Sequence, residues 1–117
     1  MFEQVEFTAV PGTKTEHDIA ILALSTCGFC KRGMEFLQAQ HFAYRFIYLD
    51  LIPPELKQQV KEEFKAKFQS SLSYPALVLD RQKMTIGFIK RQWEELLGIP
   101  TEEIPEVLPS DGSEDDR

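Results

Sequence analysis

The chain has 117 residues, enough for one domain with its own core and too few for two. Apolar residues make up 43% and charged residues 27%, and the longest apolar run, residues 19–24, is too short to cross a bilayer, which leaves a soluble protein without a membrane partner. The net charge of −6 comes entirely from residues 101–117, so the body is neutral and lacks the basic field that nucleic-acid binding requires.

The first twenty residues hold Glu3, Glu6, Glu16 and Asp18 and no apolar core followed by small residues. No secretory signal is visible, and a reducing cytoplasm is the expected compartment. Val5, Phe7 and Ala9 alternate with Glu6 and Thr8, the period of a half-buried edge strand, and Pro11-Gly12 then turns the chain. Residues 19–24 show no polar face, which predicts a central strand covered on both sides. At Cys30 the period changes: Cys30, Met34, Leu37 and His41 recur at helical spacing, so a helix begins at or within the cysteine pair. Tyr44, Phe46 and Tyr48 mark the next strand. Pro53-Pro54 open a second helix, where proline is tolerated because the first turn needs no amide donor, and Leu56, Val60, Phe64 and Phe68 form its apolar stripe.

Residues 70–73 read as a loop, 76–79 as a strand, 80–83 as a turn and 84–88 as its hairpin partner. Ile89, Trp93, Leu96 and Leu97 then give a short amphipathic helix stopped by Gly98 and Pro100. The order β, β, α, β, α, β, β, α demands a partly parallel sheet with helices on its faces and an antiparallel hairpin at the end. From Thr101 the chain lacks the apolar residues that offset ordering entropy. The expected domain therefore spans residues 1–100, with 101–117 as a flexible acidic tail.

Cys27 and Cys30 are the two cysteines. A single pair at this spacing in an apparently cytosolic chain points to redox or metal chemistry, not to a disulfide scaffold. Its place between a buried strand and a first helical turn is the stronger signal. Unpaired amides and the positive end of the helix dipole favour a thiolate at Cys27, making it the nucleophile, and Lys31 and Arg32 add to that field. Cys30, one turn later and facing inward, is sheltered yet within reach of Cys27, which suits it to resolve a mixed disulfide. Gly28 lets the chain bend closely, and Phe29 leaves an apolar group beside the sulfur. A zinc site would need His17 and His41, which bracket the cysteines in the wrong order, and a helix would carry His41 roughly 16 Å beyond Cys30, so no metal is expected.

The apolar strand, the segment Thr26-Cys27-Gly28-Phe29-Cys30-Lys31-Arg32, Ser73-Tyr74-Pro75 before an apolar strand, and Ile86-Gly87-Phe88 before the last helix resemble glutaredoxins and related redoxins of the thioredoxin superfamily. The resemblance spans residues 18–98. It implies a thioredoxin-like α/β fold with a mixed central sheet, here with an extra N-terminal strand. It also implies a cis Pro75 against the cysteines, with Tyr74 offering its backbone to an extended substrate segment and with Gly28, Phe29, Gly87 and Phe88 on the same substrate-binding edge. The chain departs from the family where glutathione would be held. The usual Cys-Pro-Tyr-Cys is Cys27-Gly28-Phe29-Cys30 here, Leu24 replaces a lysine, and Gly87-Phe88 and Lys90-Arg91 replace a Gly-Gly then Asp pattern. Lys31, Lys90 and Arg91 remain as candidate anion contacts, to a glutathione carboxylate or to an acidic partner. Gly87-Phe88 is closer to redoxins that a flavoprotein reductase reduces.

These readings give a monomeric thiol-disulfide oxidoreductase without a tightly bound cofactor. Disulfide-containing proteins or small-molecule disulfides are its expected substrates, and a flavoprotein reductase or glutathione its electron donor. Two other readings stay open: an iron–sulfur cluster carrier, with Cys27 of two chains and two external thiols as ligands, and a non-catalytic partner-binding module that keeps the fold.

Overall fold

The computed structural model describes residues 2–99; the expected boundary at residue 100 and the acidic stretch 101–117 lie outside them. The elements are β1 (Thr8–Val10), β2 (Ile19–Ala23), α1 (Gly28–Ala39), β3 (Tyr44–Tyr48), a 3-10 turn (Leu49–Leu51), α2 (Pro54–Phe68), β4 (Ala76–Leu79), β5 (Lys83–Ile86) and α3 (Lys90–Leu97). The strands form one sheet in the order β1-β3-β2-β4-β5. β2 and β3 are parallel and the other three pairings antiparallel.

β2 is apolar throughout because both of its faces are covered. Ile19, Ile21 and Ala23 pack with Cys30, Met34 and Leu37 of α1 and Trp93 and Leu97 of α3. Ala20 and Leu22 face the other way, onto Val60 and Phe64 of α2. Thus α1 and α3 share one side of the sheet and α2 covers the other. Along α2 only Val60 and Phe64 of the expected stripe are fully buried; Leu56 and Phe68 are half-covered. No helix among the described residues is long and apolar enough to cross a membrane.

Boundaries of three elements differ from the sequence reading. The first strand covers Thr8–Val10, while Val5 and Phe7 pack half-buried against the α2-side core outside it. α1 ends at Ala39, before His41. His41 takes the left-handed conformation at φ 68°, while the Phe42 amide bonds back to the Leu37 carbonyl and the His41 amide to that of Gln38. That is a helix stop of the Schellman type, with histidine where glycine is usual. β5 ends at Ile86 and not at Phe88, because Gly87 has φ +80° and breaks the extended chain. The Asp80-Arg81 turn has both residues at positive φ, the mirror-image turn that matches the twist of a tight hairpin.

Because β2 and β3 run in one direction and β4 in the other, one end of the sheet gathers four chain segments. They are the loop after β2, the 3-10 turn after β3, the approach to β4 and the exit from β5. Both cysteines lie at this end.

Candidate active site

β2 delivers the chain to Leu24, and the Cys27 amide bonds back to the Leu24 carbonyl at 3.2 Å, closing a turn. Cys27 is then the N-cap of α1: its backbone is extended, and its Sγ accepts the Cys30 amide at 3.2 Å. Sulfur here does what a serine or aspartate oxygen does at other helix starts. Cys27 is half-exposed, Cys30 is fully buried, and both are free thiols. Burial, with the neighbouring Cys27 sulfur next, pushes the Cys30 thiol up to about 12, against a backbone hydrogen bond from Leu24 that favours its anion. The two sulfurs are thus unequal, one reachable and one sheltered, as the spacing implied.

Asp50, from the 3-10 turn after β3, ties down the loop that carries Cys27. Its carboxylate accepts the Ser25 amide at 2.9 Å and the Ser25 hydroxyl. Those two bonds, the hydroxyl first, hold the Asp50 carboxyl below the usual carboxylate range. A depressed folded value means that the stabilisation is complete above the unfolded value of about 3.9 and is lost as pH falls through the folded one. The melting temperature of the wild type should therefore drop more steeply between about pH 5 and pH 2 than that of Asp50→Asn, which cannot titrate there. Parallel curves would remove Asp50 from this role. Sequence reasoning missed the pair, because the residues lie 25 apart and neither carries a motif.

The Tyr74-Pro75 bond is cis, as the resemblance implied. Pro75 is buried, and its carbonyl accepts the Gly87 amide at 2.7 Å, so the β4–β5 ladder runs one step past the named strands. β2 and β4 pair as far as Leu22 opposite Ala76, and Tyr74 lies just past this last pair, at the cysteine end.

Other expected site residues are placed differently. Phe29 is 59% exposed, with the Arg32 guanidinium 5.4 Å from its ring centroid, so it covers no core and stays open to a partner. Gly28 has ordinary backbone geometry and open space where a side chain would stand, so the bend does not require glycine. Gly87 does, at φ +80°. The Phe88 ring packs at 4.9 Å on Trp93 and 5.7 Å on Phe36 and is half-buried. Lys31 lines a groove with Val10, Met34, Tyr44 and Tyr48 on the β3 flank of α1, whereas Lys90 and Arg91 open α3 beyond β5. Arg91 stands 3.7 Å from Glu95. His17 pairs with Asp80 at 2.9 Å, and the described residues contain no cluster of three or more His, Cys, Asp or Glu able to hold a metal.

A family model for glutaredoxin matches residues 14–83. The chain belongs to the glutaredoxin family. The match takes in Cys27, Cys30, Tyr74 and Pro75 and stops before Gly87. Solved structures of glutaredoxins and redoxins share the thioredoxin-like fold. A glutaredoxin from Methanosarcina mazei Go1 superposes with a TM-score of 0.69 at 23% identity, over 80% of this chain and 89% of the other. A methanoredoxin from Methanosarcina acetivorans gives 0.66 at 28% identity, over 74% and 90%. A glutaredoxin from Archaeoglobus fulgidus gives 0.60 at 29%, over 70% and 87%. No curated protein sequence matches the chain. Family membership makes thiol oxidoreduction the activity class of this glutaredoxin.

Proposed function

We propose that the protein is a dithiol–disulfide oxidoreductase that reduces disulfides in other proteins. Cys27 attacks the substrate disulfide and forms a mixed disulfide; Cys30 displaces the reduced product and leaves an internal Cys27–Cys30 bond for a reductant to reopen. The inequality of the two sulfurs carries the reading. A half-exposed N-cap thiol suits the first attack, and a fully buried one a single turn away suits only an intramolecular second attack.

Protein substrates are favoured by the surface around Cys27. The exposed large apolar residues of the described chain are Phe29, Leu51 and Ile89, and all three stand at the cysteine end of the sheet. Arg32, Lys90 and Arg91 flank them. Such an apolar face with cations at its rim fits an extended protein segment, for which Tyr74 supplies backbone groups, those of Gly87 being taken by Pro75 and Trp93.

For the electron donor we favour a flavoprotein reductase over glutathione. Leu24 offers no cation, and Lys90-Arg91 stand where the family's acid would hold glutathione's ammonium group. The test couples the oxidised protein to glutathione with glutathione reductase in one assay and to thioredoxin reductase in another. Efficient turnover with the flavoprotein and about tenfold or more slower turnover with glutathione is expected, because each charge-assisted bond is worth about 1.5–3 kcal/mol. Glutathione rates that match or exceed the flavoprotein's would reverse the assignment.

A further inference from the structure

This inference rests on the dithiol reading and concerns its second step. In that step the Cys30 thiol gives up its proton and its sulfur attacks Cys27 Sγ. A sulfur–sulfur bond forms between Cys27 and Cys30, the bond from Cys27 to the substrate sulfur breaks, and the departing thiolate takes up a proton. The disulfide under reduction is itself the oxidant, so nothing else is consumed. The difficult partner is Cys30, whose side chain is fully buried. An anion there must be met by donors already inside the fold. The Leu24 amide is one.

Among the described residues, the Tyr74 hydroxyl is the one buried side-chain polar atom without a hydrogen-bond partner. Buried hydroxyls are ordinarily paired, since an unpaired one forfeits its hydration for nothing, so such an atom asks for a role. Its surroundings suggest one. Tyr74 and Leu24 both lie just past the last β2–β4 pair, and a backbone hydrogen bond from Leu24 favours the Cys30 anion. Its ring packs against the cores on both sides of the sheet, and the α1-side core contains Cys30 and, at its edge, Cys27. Burial, then the charge of Asp50 and the Cys30 sulfur, keep the phenol protonated, so it is a donor throughout the working pH range. A thiol is a weak acceptor and a thiolate a strong one.

We propose that the Tyr74 hydroxyl is a catalytic hydrogen-bond donor for the resolving step, unpaired while Cys30 is a thiol and bonded to its sulfur as that sulfur becomes anionic. The charged or titratable groups that face this spot are Cys27 at the start of α1 and Asp50 in the 3-10 turn, with Lys57 of α2 behind Asp50. Neither Cys27 nor Asp50 offers a hydroxyl donor, and the Ser25 hydroxyl is already given to Asp50.

Stopped-flow reaction of the reduced protein with dithiobis(nitrobenzoate) tests this, since attack by Cys27 releases one coloured thiolate and attack by Cys30 a second. In Tyr74→Phe the ratio of the second rate constant to the first should fall about tenfold near neutrality, the loss of one hydrogen bond to a charged group. The pH profile of the second phase should move upward, with the rate recovering in alkali. The melting temperature should equal or exceed that of the wild type, because an unpaired hydroxyl has been removed. Cys30→Ser supplies the baseline with the first phase alone. An unchanged ratio, or equal slowing at every pH, overturns the role of Tyr74 while leaving the dithiol reading intact. A wild type with no second phase overturns both.

Discussion

Turnover is expected to vanish in Cys27→Ser, while Cys30→Ser performs one attack and then stalls as a mixed disulfide that mass spectrometry detects intact. The difference follows from position. Cys27 is the half-exposed cap of α1, so its loss removes the group that meets substrate. Cys30 is fully buried, with its thiol pushed up to about 12, so it contributes nothing to the first attack and everything to the release. Iodoacetamide near neutral pH should therefore label the reduced wild type predominantly at Cys27. Equal labelling at both sulfurs, or full turnover by Cys30→Ser with a protein substrate, would contradict the assignment of the two steps.

The largest stability effect at the site should come from Gly33→Ala. A Cβ at Gly33 would stand 2.6 Å from Trp93 Cη2 and 3.1 Å from its Cζ3. The indole has nowhere to go. Its side chain is fully buried, its Nε1 donates to the Gly87 carbonyl at 2.9 Å, and Phe88 and Phe36 press on its ring. Overpacking of this kind costs about 1–3 kcal/mol. Urea unfolding should show a lower midpoint at an unchanged slope. Wild-type stability in Gly33→Ala would mean that α1 and α3 do not approach as closely as described.

Several features of this fold are legible along the chain because they are local. The unbroken apolar run of β2 states that both faces are covered, and the cysteine pair between that run and a helical period states its own chemistry. Helix stops at Gly98 and starts at Pro54 are read from single residues. The misreadings arise where a residue answers to something distant in sequence. His41 continues the apolar spacing of α1, yet backbone bonds to Leu37 and Gln38 end the helix before it. Phe88 continues the alternation of β5, yet its ring belongs to a cluster with Phe36 and Trp93 on two helices. The Ser25–Asp50 anchor, the Gly33–Trp93 contact and the unpaired Tyr74 hydroxyl each need two segments brought together before either partner looks unusual. Resemblance to the family supplied Pro75, which local reasoning alone would have left as an ordinary turn.

Trp93 is the sole tryptophan of the chain and lies in the same buried cluster as Cys30. The protein thus carries its own fluorophore at the inner wall of the redox centre. Sulfur quenches indole emission according to its ionisation and bonding, so formation and opening of the Cys27–Cys30 bond will be followed by intrinsic fluorescence, with no dye attached to the surface that substrates touch. Because no second indole adds background, each intensity change reports one place, and the kinetics of partner exchange become measurable in unlabelled mixtures with proteins that lack tryptophan.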